Sequence, residues 1–133
     1  QRSILVVLGK GTKMASQEMT MDMPFLNQGT KVRLVLDVEA IDHNQEGIIM
    51  VNKKNSVYIP KARTTGREQV VLDLDKSWFK EKGNVIQFGY NQNQQAKGVN
   101  GQHDLRKGFV VYNVSSMPIW YVNYVTKGLF NKP

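Results

Sequence analysis

Residues 47–90 read as Gly47-Ile48-Ile49-Met50-Val51-Asn52-Lys53-Lys54-Asn55-Ser56-Val57-Tyr58-Ile59-Pro60, a basic connection over 61–67, then Glu68-Gln69-Val70-Val71-Leu72-Asp73-Leu74-Asp75, Lys76 to Asn84, and Val85-Ile86-Gln87-Phe88. Runs of β-branched and aliphatic residues bounded by polar turn formers are strands. The order is therefore strand over 48–52, polar turn at 53–56, short strand over 57–60, strand over 68–75, a helical segment, and strand over 85–88. Asp75 is placed to cap the helical segment, and Gly83 to stop it. Trp78 or Phe79 then pins that turn across the end of the fold.

The flanks continue the pattern. Ile4 to Leu8 is a five-residue apolar run ended by Gly9, too short for the core of a signal peptide and read as a strand. Between Met14 and Met23, Met19, Met21 and Met23 alternate with Glu18, Thr20 and Asp22, the period of a strand with one wet face. Three methionines on one face are read as core, since no Cys or His stands beside them to complete a soft-metal site. From Val32 to Glu39 the alternation returns, with Val32, Leu34, Leu36 and Val38 inward. Asp42 to Gly47 reads as a solvated hairpin connection; it lacks the length and terminal glutamate of an EF-hand loop. Gly108 to Val114 and Met117 to Val125 read as two further strands separated by Ser115-Ser116. Eight or nine strands without a sustained helical period predict an all-β, two-sheet antiparallel sandwich with one short helical turn.

The Val51-Asn52 strand end, the Lys82-Gly83-Asn84-Val85-Ile86 segment after a short helical turn, and the Phe109 to Val114 strand together resemble the galactose-binding-like, or jelly-roll carbohydrate-binding-module, superfamily. The resemblance covers the middle third best and reaches the flanks by strand count and spacing. It implies a non-catalytic binding domain whose ligand sits on loops at one end of the sandwich or on a sheet face. It also implies a structural calcium in many members, for which this sequence offers no evident ligand set.

The chain has 133 residues, of which 41% are hydrophobic and 22% charged, the composition of one globular domain. No apolar run approaches the length of a membrane helix. A start at glutamine rather than methionine fits processing or excision from a larger protein. With no cysteine there is no disulfide, thiolate site or cysteine nucleophile. The net charge of +7 favours polyanionic partners. Its carriers, Lys53, Lys54, Lys61, Arg63, Arg67, Lys76, Lys80 and Lys82, crowd the central third. Aromatic residues are not interleaved with them as in nucleic-acid binders, so nucleic acid is not the expected partner.

No catalytic motif is present. His43 and His103 lie in polar loops, and nothing in the spacing of Asp37, Glu39, Asp73 and Asp75 selects two carboxylates for opposed roles in glycoside hydrolysis. Sugar recognition needs a flat apolar surface for the ring and amides or guanidinium groups for its hydroxyls. Candidate ligand-binding residues are Asn52, Asn55, Tyr58, Arg63, Tyr90, Asn91, Gln92 and Asn93, the last four within an amide-rich stretch, 89–104, read as a long surface loop. Trp120 is read as a core position. The expectation is a non-catalytic, cofactor-free, extracellular or cell-envelope module for a glycan, in particular an acidic polysaccharide. The alternative is an assembly domain of a surface or secretion complex, whose sheet edge pairs with another chain.

Overall fold

The computed structural model describes residues 2–8, 16–42, 44–64, 66–91 and 108–120. Among these residues eight strands run in chain order: β1 Arg2–Leu8, β2 Ser16–Met21, β3 Lys31–Glu39, β4 Gly47–Val51, β5 Asn55–Tyr58, β6 Glu68–Asp75, β7 Asn84–Tyr90 and β8 Phe109–Ile119. A single 3₁₀ turn, Lys76–Trp78, lies between β6 and β7. The first sheet has the order β1-β8-β3-β6 and the second β2-β7-β4-β5, all pairs antiparallel. Strands distant in sequence are thus neighbours in space, the winding of an eight-stranded jelly roll.

The core follows from alternation. On β3, Val32, Leu34, Leu36 and Val38 are at most 1% exposed, and β6 turns Val70, Leu72 and Leu74 inward beside them. Facing them, the second sheet contributes Met19 and Met21 from β2, Ile49 and Val51 from β4, and Ile86 and Phe88 from β7. Met23 follows on the same side, fully buried. The methionine stripe is therefore core packing.

Two features depart from the local pattern. The Ser115-Ser116 pair does not divide two strands: it runs through β8, opposite Val35 and Leu34 of β3, so the 109–119 segment is one strand of 11 residues. Pro118 is tolerated because β8 has passed the end of its pairing with β1 by that point. The register between β3 and β8 also shifts. Asp37 faces Asn113 but Val38 faces Val111, leaving Tyr112 as the extra residue of a bulge. The bulge lets both Val111 and Val114 point inward although three positions separate them.

One end of the sandwich is knotted by a buried amide. Asn84 is fully buried; its Oδ1 accepts from Asn52 Nδ2 at 3.0 Å and from the Lys80 amide at 2.8 Å, while its Nδ2 donates to the carbonyls of Met21 at 3.1 Å and Lys80 at 2.6 Å. Asn52 donates in addition to the Trp78 carbonyl and accepts from the Val85 amide at 2.8 Å. The β4–β5 turn is set one residue earlier than its polarity predicts. Asn52 and Lys53 take φ of 52° and 58°, and the Lys54 amide closes the turn on the Val51 carbonyl, the geometry of a type I′ hairpin. Asp75 caps the 3₁₀ turn through its bond from the Ser77 amide, as predicted. The helix stops at Trp78, not at Gly83, because Phe79 turns extended to enter the core.

At the other end the 40–47 connection is solvated only in part: Asn44 and Gln45 are exposed, but its flanks turn inward. Ile41, Asp42 and Glu46 are buried, and Glu46 Oε1 accepts from the Asp42 amide at 2.6 Å. The Ala62 amide bonds the Ile41 carbonyl, and the Asn91 amide bonds that of Glu46. Backbone groups that leave the sheets here find partners in the neighbouring connections, which is what makes burial of an irregular segment tolerable.

Removing the Asn84 amide leaves several buried groups without partners. Asn84→Ala is expected to cost about 3 kcal/mol in chemical denaturation. Lys53, held at positive φ without a side-chain reason, is expected to show the opposite. Lys53→Gly should raise stability by about 1 kcal/mol in the same assay, by relief of the left-handed penalty.

Candidate functional site

The outer face of the second sheet is set by the same alternation that builds the core. The β2, β7, β4 and β5 residues that do not point inward line up in cross-strand rows. One row runs Ser16, Gly89, Ile48 and Tyr58, and the next Glu18, Gln87, Met50 and Ser56. Ile48 and Met50 are half-buried and Tyr58 is 44% exposed, a slab of apolar surface open to solvent. A shallow cavity of about 160 Å³ lies in it, lined by Ile48, Met50, Gln87, Gly89 and Tyr90.

Gly89 makes the floor. A Cβ built on it meets nothing within 4 Å, so the space is absent side chain, not a close approach of backbone. The Gln87 amide projects beside this floor with one acceptor and two donors, and the Glu18 carboxylate is its cross-strand neighbour on β2. Tyr90 rims the cavity from the end of β7. Its phenol is pushed above the ordinary tyrosine range by burial and by the Glu46 and Asp42 carboxylates, so it stays protonated. Apolar slab, amide and carboxylate side by side form a surface that can stack on one face of a ring and hydrogen-bond its rim.

The structure disperses the residues expected from sequence to bind ligand. Tyr58 belongs to this face, whereas Tyr90 borders the cavity but is buried with the core residues. Asn52 is consumed in the amide knot, with its side-chain oxygen and nitrogen both bonded within the fold. Asn55 opens β5 opposite Val51 and is half-buried. Asn91 is tied to the 45–46 connection, its Nδ2 donating to the Gln45 carbonyl at 3.0 Å. Arg63 stands at the far end of β5, beside β6. Residues 92–104, with Gln92, Asn93 and His103, and also His43, lie outside the described residues. Trp120, read as core, is 71% exposed at the end of β8. Ile48, Met50, Gln87 and Gly89 are absent from the sequence-based set. From sequence alone Gly89 and Tyr90 read as the start of the surface loop, but β7 runs through both because β2 and β4 supply ladders for them, and a glycine inside a strand marks a place where something approaches or a side chain is missing.

The first sheet has a different outer face. Arg33 forms a two-bond ion pair with Asp73, at 2.7 and 3.0 Å, across β3 and β6. Arg67 bonds Asp37 at 2.7 Å and lies 3.9 Å over the Tyr112 ring, whose hydroxyl donates to Glu39 at 2.6 Å. All four carboxylates weighed for glycoside hydrolysis are on this side, and each accepts bonds from a neighbour: Arg67, Tyr112, Arg33 and, for Asp75, Ser77. Among the described residues no group of three His, Cys, Asp or Glu side chains is arranged to hold a metal ion.

Lys53, Lys54, Lys61, Arg63, Lys80 and Lys82 are exposed and enter no ion pair among the described residues. Lys53 and Lys54 sit on the turn that ends the β4–β5 hairpin, at the end of the apolar slab opposite Tyr58. No protein-family model matches this chain, and no curated protein matches it.

The Asp73 carboxyl is held below the ordinary carboxylate range, first by its bonds from Arg33. A carboxyl whose folded value is lowered adds stability above its unfolded value, near 4, and that contribution is lost as the pH falls through the lower folded value. Stability should therefore decline with acid below about pH 4, and Asp73→Asn should flatten that decline in denaturation curves taken across the range.

Proposed function

We propose that this domain is a non-catalytic carbohydrate-binding module that takes an acidic polysaccharide on the outer face of the β2-β7-β4-β5 sheet, as part of an extracellular or cell-envelope protein. The observation that carries the reading is the floor at Gly89. An apolar slab of Ile48 and Met50 is open there because no side chain covers it, with the Gln87 amide and exposed Tyr58 beside it. A sugar ring placed on the slab would lay its C–H face on Met50 and Ile48 and turn its hydroxyls to Gln87 and Glu18. A polymer running along the strands toward the β4–β5 turn would bring uronate or sulfate groups to Lys53 and Lys54. Such charge-assisted contacts are screened by salt, whereas stacking on the slab is not. The reading agrees with what the superfamily resemblance implies and differs from it in the residues that do the binding.

The test is retention of the protein on neutral, uronic-acid and sulfated polysaccharides at two salt concentrations. Selective retention by an acidic glycan, reduced but not abolished by salt, is the expected result. Gly89→Leu should fill the floor and abolish retention while leaving the melting temperature unchanged or raised, because a strand position with open space accepts a side chain. Tyr58→Ala should weaken binding about tenfold, the loss of one stacking contact. A folded protein that no glycan retains would overturn the proposal.

A further inference from the structure

Among the described residues β6 is, with β1, one of the two edges of the first sheet. It pairs with β3 over eight residues, from Val38 opposite Glu68 to Lys31 opposite Asp75, with no register break. It carries no proline. Among the described residues no strand pairs with its other side. Two other edges are blunted: β5 is four residues long and runs on to Pro60, and the pairing of β1 with β8 is broken by a register shift; the remaining edge, β2, is regular but six residues long. A long, regular, uncovered edge is a template for another strand. Along its first half lies a groove of about 340 Å³, lined by Pro60, Lys61, Arg63 and the edge residues Glu68 to Val71.

The charge along this edge is divided. Its first half is flanked by Lys61, Arg63 and Arg67, with Glu68 turned into bonds from the Arg63 amide and the Thr64 hydroxyl. Its second half presents Asp73 and Asp75. Between them Val71 is 44% exposed on the outer face. An edge that is basic at one end, acidic at the other and apolar at its centre is complementary to itself run antiparallel.

We infer that β6 is a self-pairing edge, through which two copies of this chain form a dimer with one continuous eight-stranded sheet. Opposed residues of an antiparallel pair share a face. The register is thereby limited to those that set outward residues against outward residues. Of these, one places Val71 against Val71 of the second copy. It also sets Gln69 against Asp73 and Arg67 against Asp75, each twice by symmetry. A shift by one residue in each copy either way sets Val71 against Asp73 or against Gln69, leaving the apolar side chain without an apolar partner. In the self-matched register the acidic half of one copy enters the groove beside Lys61 and Arg63 of the other. Arg67 is available for this role: its side chain is 56% exposed while it bonds Asp37. Asp73 keeps lone pairs beyond its bonds from Arg33, and Asp75 beyond those from Ser77.

The chain has no cysteine, so single cysteines report the register directly. Opposed Cα atoms in an antiparallel pair are about 4.5–5.5 Å apart, within the disulfide range of about 4.4–6.8 Å. Sedimentation velocity of the unmodified protein should show a monomer–dimer equilibrium. Val71→Cys should form a covalent dimer under mild oxidation at least about tenfold faster than Gln69→Cys, whose own copy is four residues out of line. A mixture of Gln69→Cys and Asp73→Cys should yield the mixed disulfide. Val71→Lys, which sets two ammonium groups on the axis, should be monomeric with an unchanged circular dichroism spectrum and melting temperature. A protein that stays monomeric as its concentration is raised would overturn the inference. So would equal crosslinking of Val71→Cys and Gln69→Cys, or a dimer that survives Val71→Lys.

Discussion

The Asn84 carboxamide is the constraint on which the rest of this sandwich depends. A side-chain amide out of contact with water is costly unless its oxygen and both hydrogens are engaged, and here its four bonds reach three separate segments: the end of β2, the loop after the 3₁₀ turn, and the β4–β5 hairpin. These segments cannot shift independently without breaking a buried bond. The bond from Asn52 matters most for what lies on the sheet. It anchors a turn whose two central residues fix the register of β4 against β5, while the Val85 bonds fix β4 against β7. A slip of one residue would exchange the two faces of β4. Ile49 and Val51 would leave the core, and Ile48 and Met50 would enter it.

Much of this was legible locally. Period-two alternation identified β2 and β3 with the correct inward residues, because both faces of those strands are read from one stretch of chain, and composition alone identified β6 as a strand. The strand end at Val51-Asn52 and the Gly83-Asn84 segment were also conspicuous, but as separate signals; that the two asparagines bond each other is a fact about positions 32 apart. What was not legible depended on partners of this kind. Ser115 and Ser116 have the composition of a turn, yet β3 supplies a ladder for them. Asp42 and Glu46 have the composition of a wet loop, yet the 59–62 and 90–91 segments cover it. Trp120 is an apolar side chain that burial statistics place inside, and it stands at a strand end where no described element reaches it.

The candidate site shows the same limit from the other side. Asparagine is a reasonable guess for a sugar contact, but an amide has few bonds to give, and Asn52 and Asn91 spend theirs on connections that leave the sheets. The residues left open to a ligand are those whose strand position already satisfies the backbone and whose side chains point away from the core. Gln87 and Met50 meet that description, and their composition alone would not have singled them out. Charge follows a related rule. On the outer face of the first sheet, cations and carboxylates stand opposite one another and cancel, as Arg33 does with Asp73 and Arg67 with Asp37. Among the described residues the uncancelled lysines are in turns and loops, where no neighbouring strand holds a carboxylate in register. The uncancelled charge of the described residues is thus presented at the ends and edges of the sandwich.

The two proposed surfaces lie on different sheets, and the symmetry of the edge relates them. When opposed residues of paired edge strands share a face, the two-fold axis is perpendicular to the joined sheet. Both copies then carry their second sheet on the same side, and the two faces floored by Gly89 look in one direction. A single polymer or a surface dense in glycan could be engaged by both at once. The second contact becomes intramolecular, and avidity gains of about 10²–10⁴ over a single site are available without any new contact to sugar. A groove of about 160 Å³ is small and shallow for tight binding of an isolated ring. Pairing two such grooves on one rigid sheet is the physical route by which weak contacts of this kind become effective against a repeating ligand, and it requires of the monomer only an edge strand that matches itself.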